Sequence, residues 1–330
     1  MKKLIIILCA ILTLIIMSKI INKNDANINK ITLAEVTHSV FYSPLYVAIE
    51  KGYFKEENID LELILTPGAD KVATSVLSND VNIGFSGPEA TVYVYNNSKE
   101  KLITFASLTK RDGQFVIGDC SLKNNFTMND LKNKTILAGR QGGMPLLMFK
   151  YALKESNINE DELTIDTSVE FAALTGAYLN NQGDIVNLFE PNALNIEKQN
   201  KGCVLASLGN ISGIVPYTTF YAKEEYITNN KELIQRFNNA LNKGLNFVHN
   251  NNSKTIAESI INQFPDTNIN DLITIVDRYK TADSWYKNTY VNKKDYDRLL
   301  DIMLYGETIT NKINPNILIT NEFNKQYTNS

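Results

Sequence analysis

The stretches Ile31-Thr-Leu-Ala-Glu-Val36, Tyr46-Val-Ala-Ile-Glu-Lys51-Gly52 and Ile59-Asp-Leu-Glu-Leu-Ile-Leu-Thr66-Pro67-Gly68 decide the fold. The outer two are short runs of aliphatic residues, the pattern of strands, and the middle one reads as a helix stopped by glycine. Thr66-Pro67-Gly68 is a turn. Strand, helix and strand in that order form a β-α-β unit, whose natural product is a parallel sheet. The alternation continues outward with a helix over 71–77, a strand over 82–86, a helix over 89–95 behind Pro88 and a strand over 102–108.

After Gly113 the pattern restarts, with strands expected over 115–117, 135–138, 163–169, 185–189 and 204–208. Helices are expected over 145–155, over 171–179 and behind Pro191. A strand over 218–222 then returns the chain to the first half, and the rest reads as helices over 231–249, 254–263, 269–281 and 293–304. The expected architecture is α/β in two lobes, residues 29–114 with 217–330 forming lobe 1 and residues 115–216 lobe 2. Two crossings, near Gly113 and Tyr217, imply a hinge. No internal repeat is evident.

Composition narrows the function. The 330 residues carry 33 Lys+Arg against 36 Asp+Glu, with 44% hydrophobic residues, so the chain is an ordinary globular protein. A net charge of -3 offers no basic footprint for nucleic acid. Lys2 and Lys3 precede an apolar run from Leu4 to Met17 and then a polar stretch, which reads as an export signal or N-terminal membrane anchor over residues 1–28. Location outside the cytoplasm is therefore expected. Cys9 sits in the middle of that run and is a poor lipidation site, and Cys120 and Cys203 are expected to be buried as small hydrophobes without a disulfide.

Enzymatic constellations are missing. With only His38 and His249, no HExxH and no CxxC, metal sites are not expected, and neither a Walker loop nor a Gly-x-Ser-x-Gly elbow occurs. No catalytic residue and no cofactor is assigned. Three strand-to-helix turns instead suggest a binding cleft, because the carboxyl ends of strands line the crevice of an α/β sheet. Gly84-Phe-Ser-Gly-Pro-Glu89 offers Ser86 and Glu89. Gly139-Arg-Gln-Gly-Gly-Met-Pro145 offers Arg140, Gln141 and Gly142, with backbone N–H groups at a helix start. Asn187-Leu-Phe-Glu-Pro-Asn192 offers Glu190. Each glutamate could equally serve its own helix dipole. His38 and Tyr42 form an aromatic edge on which a flat ligand could stack, and Trp285 is a core anchor or a cleft wall.

The run His38-Ser-Val-Phe-Tyr-Ser-Pro-Leu-Tyr-Val-Ala-Ile-Glu-Lys-Gly-Tyr-Phe54, followed by Glu56-Glu-Asn-Ile-Asp-Leu-Glu-Leu63, resembles solute-binding proteins of ABC importers for nitrate, sulfonate, taurine and thiamine-pyrimidine precursors. Asn82-Ile-Gly-Phe-Ser86, the Arg140 turn and the helical tail extend the resemblance over residues 31–310. It implies a type II periplasmic-binding-protein fold, a monomer with a small-molecule solute held between the lobes, and delivery to an ABC permease and its ATPase. By analogy the contacts fall at His38, Ser86, Glu89, Arg140 and Glu190. The same family includes a pyrimidine-forming enzyme that uses a lysine for pyridoxal phosphate and consumes a histidine four residues later. Ser86 and Ala90 occupy those places here, so its amine and imidazole are absent. Glu89 and Glu190 would repel a simple anion, which favours a ligand with N–H donors, such as an aminopyrimidine.

Overall fold

The computed structural model describes residues 28–327, so the export-signal reading lies almost wholly outside the described residues. Its strands are β1 (Asn29–Glu35), β2 (Ile59–Leu65), β3 (Ile83–Ser86), β4 (Leu102–Thr109), β5 (Phe115–Gly118), β6 (Thr135–Leu137), β7 (Thr164–Asp166), β8 (Ile185–Leu188), β9 (Cys203–Ser207) and β10 (Thr218–Lys223). They build two five-stranded sheets, β2-β1-β3-β10-β4 and β7-β6-β8-β5-β9, flanked by helices, an α/β architecture with a helical C-terminal region. None of the described helices is long and apolar enough to cross a membrane.

The β-α-β unit forms as its sequence dictates. β1 pairs parallel with β2 from Asn29↔Ile59 to Glu35↔Leu65, and with β3 on its other side. The helix Ser43–Glu50 between them ends at Gly52, whose φ of 76° is the left-handed conformation that glycine adopts without strain. The expectation of a parallel first sheet is corrected: β10 inserts between β3 and β4 and runs antiparallel to both. β10 arrives from far downstream, Thr218 pairing with Thr109 and Thr219 with Ser86, and nothing in its local pattern announces its direction. The outer edge of β4 is covered by the tail, Thr104 N–H donating to Leu318 O and Ser107 N–H to Thr289 O, which removes an unpaired edge.

The two crossings lie side by side. Val215 N–H donates to Lys110 O and Tyr217 N–H to Thr109 O, both at 3.0 Å, so the chain passes between sheets as a hydrogen-bonded ribbon. Against the first sheet, the helix Lys231–Asn250 packs on Ser43–Glu50 so closely that a Cβ on Gly244 would meet Pro44 O at 2.2 Å. The helical tail, allotted to lobe 1 from sequence, bonds to the second half as well. Arg298 donates to Ser212 O and Ile214 O at 2.7 and 3.0 Å, and Lys198 pairs with Asp271.

The cysteine reading is also corrected. Cys120 and Cys203 form a disulfide that ties the end of β5 to the start of β9. β5 and β9 pair antiparallel with Gly118 opposite Cys203, which brings together two cysteines 83 residues apart. That neighbourhood is a product of sheet order and is invisible in spacing.

Candidate functional site

A cavity of about 510 Å³ opens between the two sheets. Its first wall comes from Val36, Thr37 and Tyr42 after β1, Pro67–Lys71 after β2, and Gly87 with Glu89 after β3. Its opposite wall comes from Arg140 and Gly143–Pro145 after β6, Glu170–Ala172 after β7, and Phe189 after β8; Tyr217 and Thr218 of the second crossing close the back. All six of these strand ends are the carboxyl ends of strands that pair in parallel, where ligands of α/β sheets bind.

Glu89 is the wall's distinctive polar group. Pro88, with φ fixed by its ring, precedes the helix Glu89–Asn97, and Gly87 has no side chain to obstruct the carboxylate folding back: a Cβ there would sit 2.0 Å from Glu89 Oε2. The side chain is buried, and Oε2 has no hydrogen-bond partner. Burial pushes its pKa up to about 7, against hydrogen bonds from its own backbone N–H and that of Met144 and the attraction of Arg140.

Across the cavity, Gly139 (φ 103°) and Gly142 (φ 77°) shape the turn that opens the helix Met144–Glu155, with Pro145 in its first turn. Arg140 reaches over the mouth to Asp70 of the helix Ala69–Leu77, Nη2 to Oδ1 2.5 Å. Desolvation opposes ionisation of Asp70, but this bond and the charge of Arg140 hold its pKa low. Tyr93 Oη donates to Gly142 O at 2.8 Å. Three contacts therefore join the halves on this side: Glu89 with Met144, Tyr93 with Gly142, and Asp70 with Arg140.

Of the residues singled out from sequence, Tyr42, Glu89 and Arg140 stand in the wall. Gly142 adjoins it, and Gln141 is exposed on the same turn. His38 faces away. Its Nδ1 lies 2.8 Å from Glu35 Oε1 and its Nε2 2.9 Å from Gln263 O, with the ring against Tyr46 and Phe264; the Glu35 bond raises its pKa over the opposing effect of burial. Ser86 is fully buried, with Oγ 2.7 Å from Tyr221 Oη. Glu190 is spent on the tail and on its own helix: Arg278 pairs with it and with Glu197, and Leu194 N–H donates to its Oε2 at 2.8 Å. Its neighbour Ser39 donates from Oγ to Glu190 O, a second seam between the halves. Trp285 is an anchor, its Nε1 donating to Phe41 O at 2.8 Å. Ala90 is buried among apolar side chains, and with Ser86 beside it no amine or imidazole stands in this turn.

Sequence reasoning passed over Asp70, Phe171, Phe189 and Tyr217. Phe189 and Tyr217 lie tilted to one another with ring centroids 6.2 Å apart and Phe171 meets Phe189 edge to face, which with Tyr42 gives the cavity aromatic surfaces from both sides. Asp70 carried a signal, an acid in the first turn behind Thr66-Pro67-Gly68, the same design read at the other turns.

Comparisons with known proteins agree with this geometry. The family model described as NMT1/THI5 like matches residues 40–255. YtlA of Bacillus subtilis (strain 168), a binding protein by designation, is 37% identical over 308 residues, covering 93% of this chain and 92% of its own length. Among solved structures, the fold is similar to the alkanesulfonate-binding protein SsuA from Xanthomonas axonopodis pv. citri, TM-score 0.71 at 12% identity, over 88% of this chain and 98% of that one. It is also similar to the nitrate-binding protein NrtA from Synechocystis PCC 6803, TM-score 0.72 at 12% identity, over 91% and 88%. These relatives are binding proteins, not enzymes.

Proposed function

The chain belongs to the NMT1/THI5-like family, and from that premise we propose that it is the extracytoplasmic solute-capturing subunit of an ABC importer. Residues 29–114 with 217–330, and residues 115–216, act as two bodies that close on a small organic solute, and an ABC permease with its ATPase takes the solute from the closed form. The observation that carries this reading is the cavity, walled by strand ends of both sheets and bridged at its mouth by Arg140 and Asp70. A solute touching both walls adds binding energy only to the closed arrangement, which is how occupancy becomes a shape that a permease can recognise. NrtA is a periplasmic protein by its designation, in keeping with the export signal read at residues 1–28. The protein works as a monomer, with no nucleic acid and no metal or cofactor.

A thermal-shift screen of the full-length protein against vitamin precursors, alkanesulfonates, taurine, nitrate and amino heterocycles tests the reading. A hit is expected to raise the Tm and to lower the radius of gyration in small-angle scattering. A hit that leaves the radius unchanged at saturation would replace two-lobe closure with a preformed pocket, and no response across a broad solute library would discard solute capture.

A further inference from the structure

Behind the first wall, both ring nitrogens of His38 face acceptors. Nδ1 lies 2.8 Å from Glu35 Oε1, and Nε2 lies 2.9 Å from Gln263 O, a carbonyl that can only accept. A neutral imidazole carries one N–H, so it serves one of these oxygens and aims a lone pair at the other. Both bonds form together only when the Glu35–His38 pair holds the extra proton that makes the ring an imidazolium. The next residue connects this cluster to the seam between the halves. Ser39 N–H donates to Tyr46 Oη at 3.3 Å, and Ser39 Oγ donates across the seam to Glu190 O at 3.0 Å. Val36 and Thr37, between Glu35 and His38, line the cavity. Resting on the solute-capture reading above, we propose that His38 is a proton-operated positioning residue for lobe closure: as an imidazolium it pins residues 36–39 to the tail so that Ser39 reaches Glu190 O, and its deprotonation frees the segment and shifts the lobes toward the open arrangement.

Three features agree. First, the Tyr46 hydroxyl stands between the two states. It donates to Glu35 Oε2 at 2.8 Å and lies 3.1 Å from His38 Nδ1, so a neutral ring protonated on Nε2 draws that donor away and leaves the buried Glu35 carboxylate without either partner. Second, the surroundings favour the charged ring. Among the described residues, the titratable groups in contact with it are Glu35 from β1 and Tyr46 from the helix Ser43–Glu50; from the tail, Phe264 adds its ring and Gln263 its carbonyl, and Gln263 Nε2 is in turn held by Glu50 of that same helix. The Glu35 bond raises the His38 pKa above 6.5 against the effect of burial, so the latch is complete below the ordinary value and is lost as pH rises through the raised one. Third, the side chain is 32% exposed, so solvent protons reach it while the fold stays intact.

Nitrogen-15 NMR of the full-length protein reads both ring nitrogens, and His249→Gln assigns the signals because His249 is the only other histidine. Both nitrogens of His38 should be protonated at pH 6, its pKa should exceed 6.5, and Glu35→Gln should lower that pKa by about one unit or more. Small-angle scattering without added solute should show the radius of gyration rising in a step whose midpoint matches the His38 pKa. His38→Gln should abolish the step, which separates it from the titration of other buried acids. Ser39→Ala should keep the radius at its high-pH value throughout while His38 still titrates. A neutral ring at pH 6, a step that survives His38→Gln, or a His38 that titrates at constant radius overturns the proposal. If Glu35→Gln fails to fold by circular dichroism, the unaltered protein and His38→Gln decide. No solute enters these measurements, so their failure leaves solute capture standing, and failure of the solute screen does not alter their outcome.

Discussion

The turns after β3 and β8 each set a glutamate beside a proline at the start of a helix, after Pro88 as Glu89 in one and before Pro191 as Glu190 in the other, and the two glutamates do different work. Glu190 is locked by Arg278 from the tail and by Leu194 N–H. Glu89 receives Met144 N–H from the other wall and keeps one oxygen unpartnered in the cavity. Burial raises the pKa of both, but Glu190 has a guanidinium against it and Glu89 only the more distant Arg140. The lesson is that an acid beside a helix start becomes a strut or a cavity-lining group according to what the rest of the chain brings to it.

The comparison breaks most visibly at Arg278. Removing one partner of a buried pair leaves an uncompensated charge, so Arg278→Ala should destabilise the protein by about 3 kcal/mol, read as a lower denaturant midpoint. A loss under about 1 kcal/mol would mean that Glu190 is not a strut. Glu89→Gln should behave oppositely. It removes a desolvated acid, so stability without ligand should rise by about 2 kcal/mol at pH 8 and change little near pH 5.

The pH dependence sharpens the same contrast. Glu89 (about 7 folded against 4.5) and Asp112 (about 8 against 3.8, raised by burial in the first crossing) bind a proton more tightly folded than unfolded. Their contribution is complete below the unfolded values and is lost as pH rises through about 7 and 8. His38, with a raised pKa, adds in the same direction, losing its contribution as pH rises through that value. Asp70 and Glu197, with lowered pKa values, contribute only above about pH 4 and stay constant across this window. The Tm should therefore fall from pH 5.5 to pH 8.5, and the fall should be shallower in Glu89→Gln. A Tm that rises over that interval would contradict the burial of these acids. The smallest effect is expected at the mouth: Arg140 and Asp70 are both partly exposed, so Arg140→Ala should cost under about 1 kcal/mol in stability while enlarging the radius of gyration. An unchanged radius would show that the pair does not hold the halves together.

Strand and helix periods and the glycine and proline stops were legible in the sequence, because they rest on local patterns of apolar residues and backbone conformation. So was the family, through residues 38–63. Within the site, Glu89, Arg140 and Tyr42 were legible because strand ends face the crevice of any α/β sheet. The rest depended on who meets whom across long separations. β10 enters the first sheet antiparallel from far downstream, Thr219 opposite Ser86, Cys120 finds Cys203 through the pairing of β5 with β9, and Arg278 reaches back 88 residues to claim Glu190. His38 turns to Glu35 and Gln263 because the helical tail passes beside it. A single chain states its local preferences at every residue, but an ion pair, a disulfide or a cavity wall is a property of two distant places. Only the tertiary structure, by bringing Arg278 to Glu190 and leaving Glu89 in the cavity wall, decided which acid is locked in an ion pair and which lines the cavity.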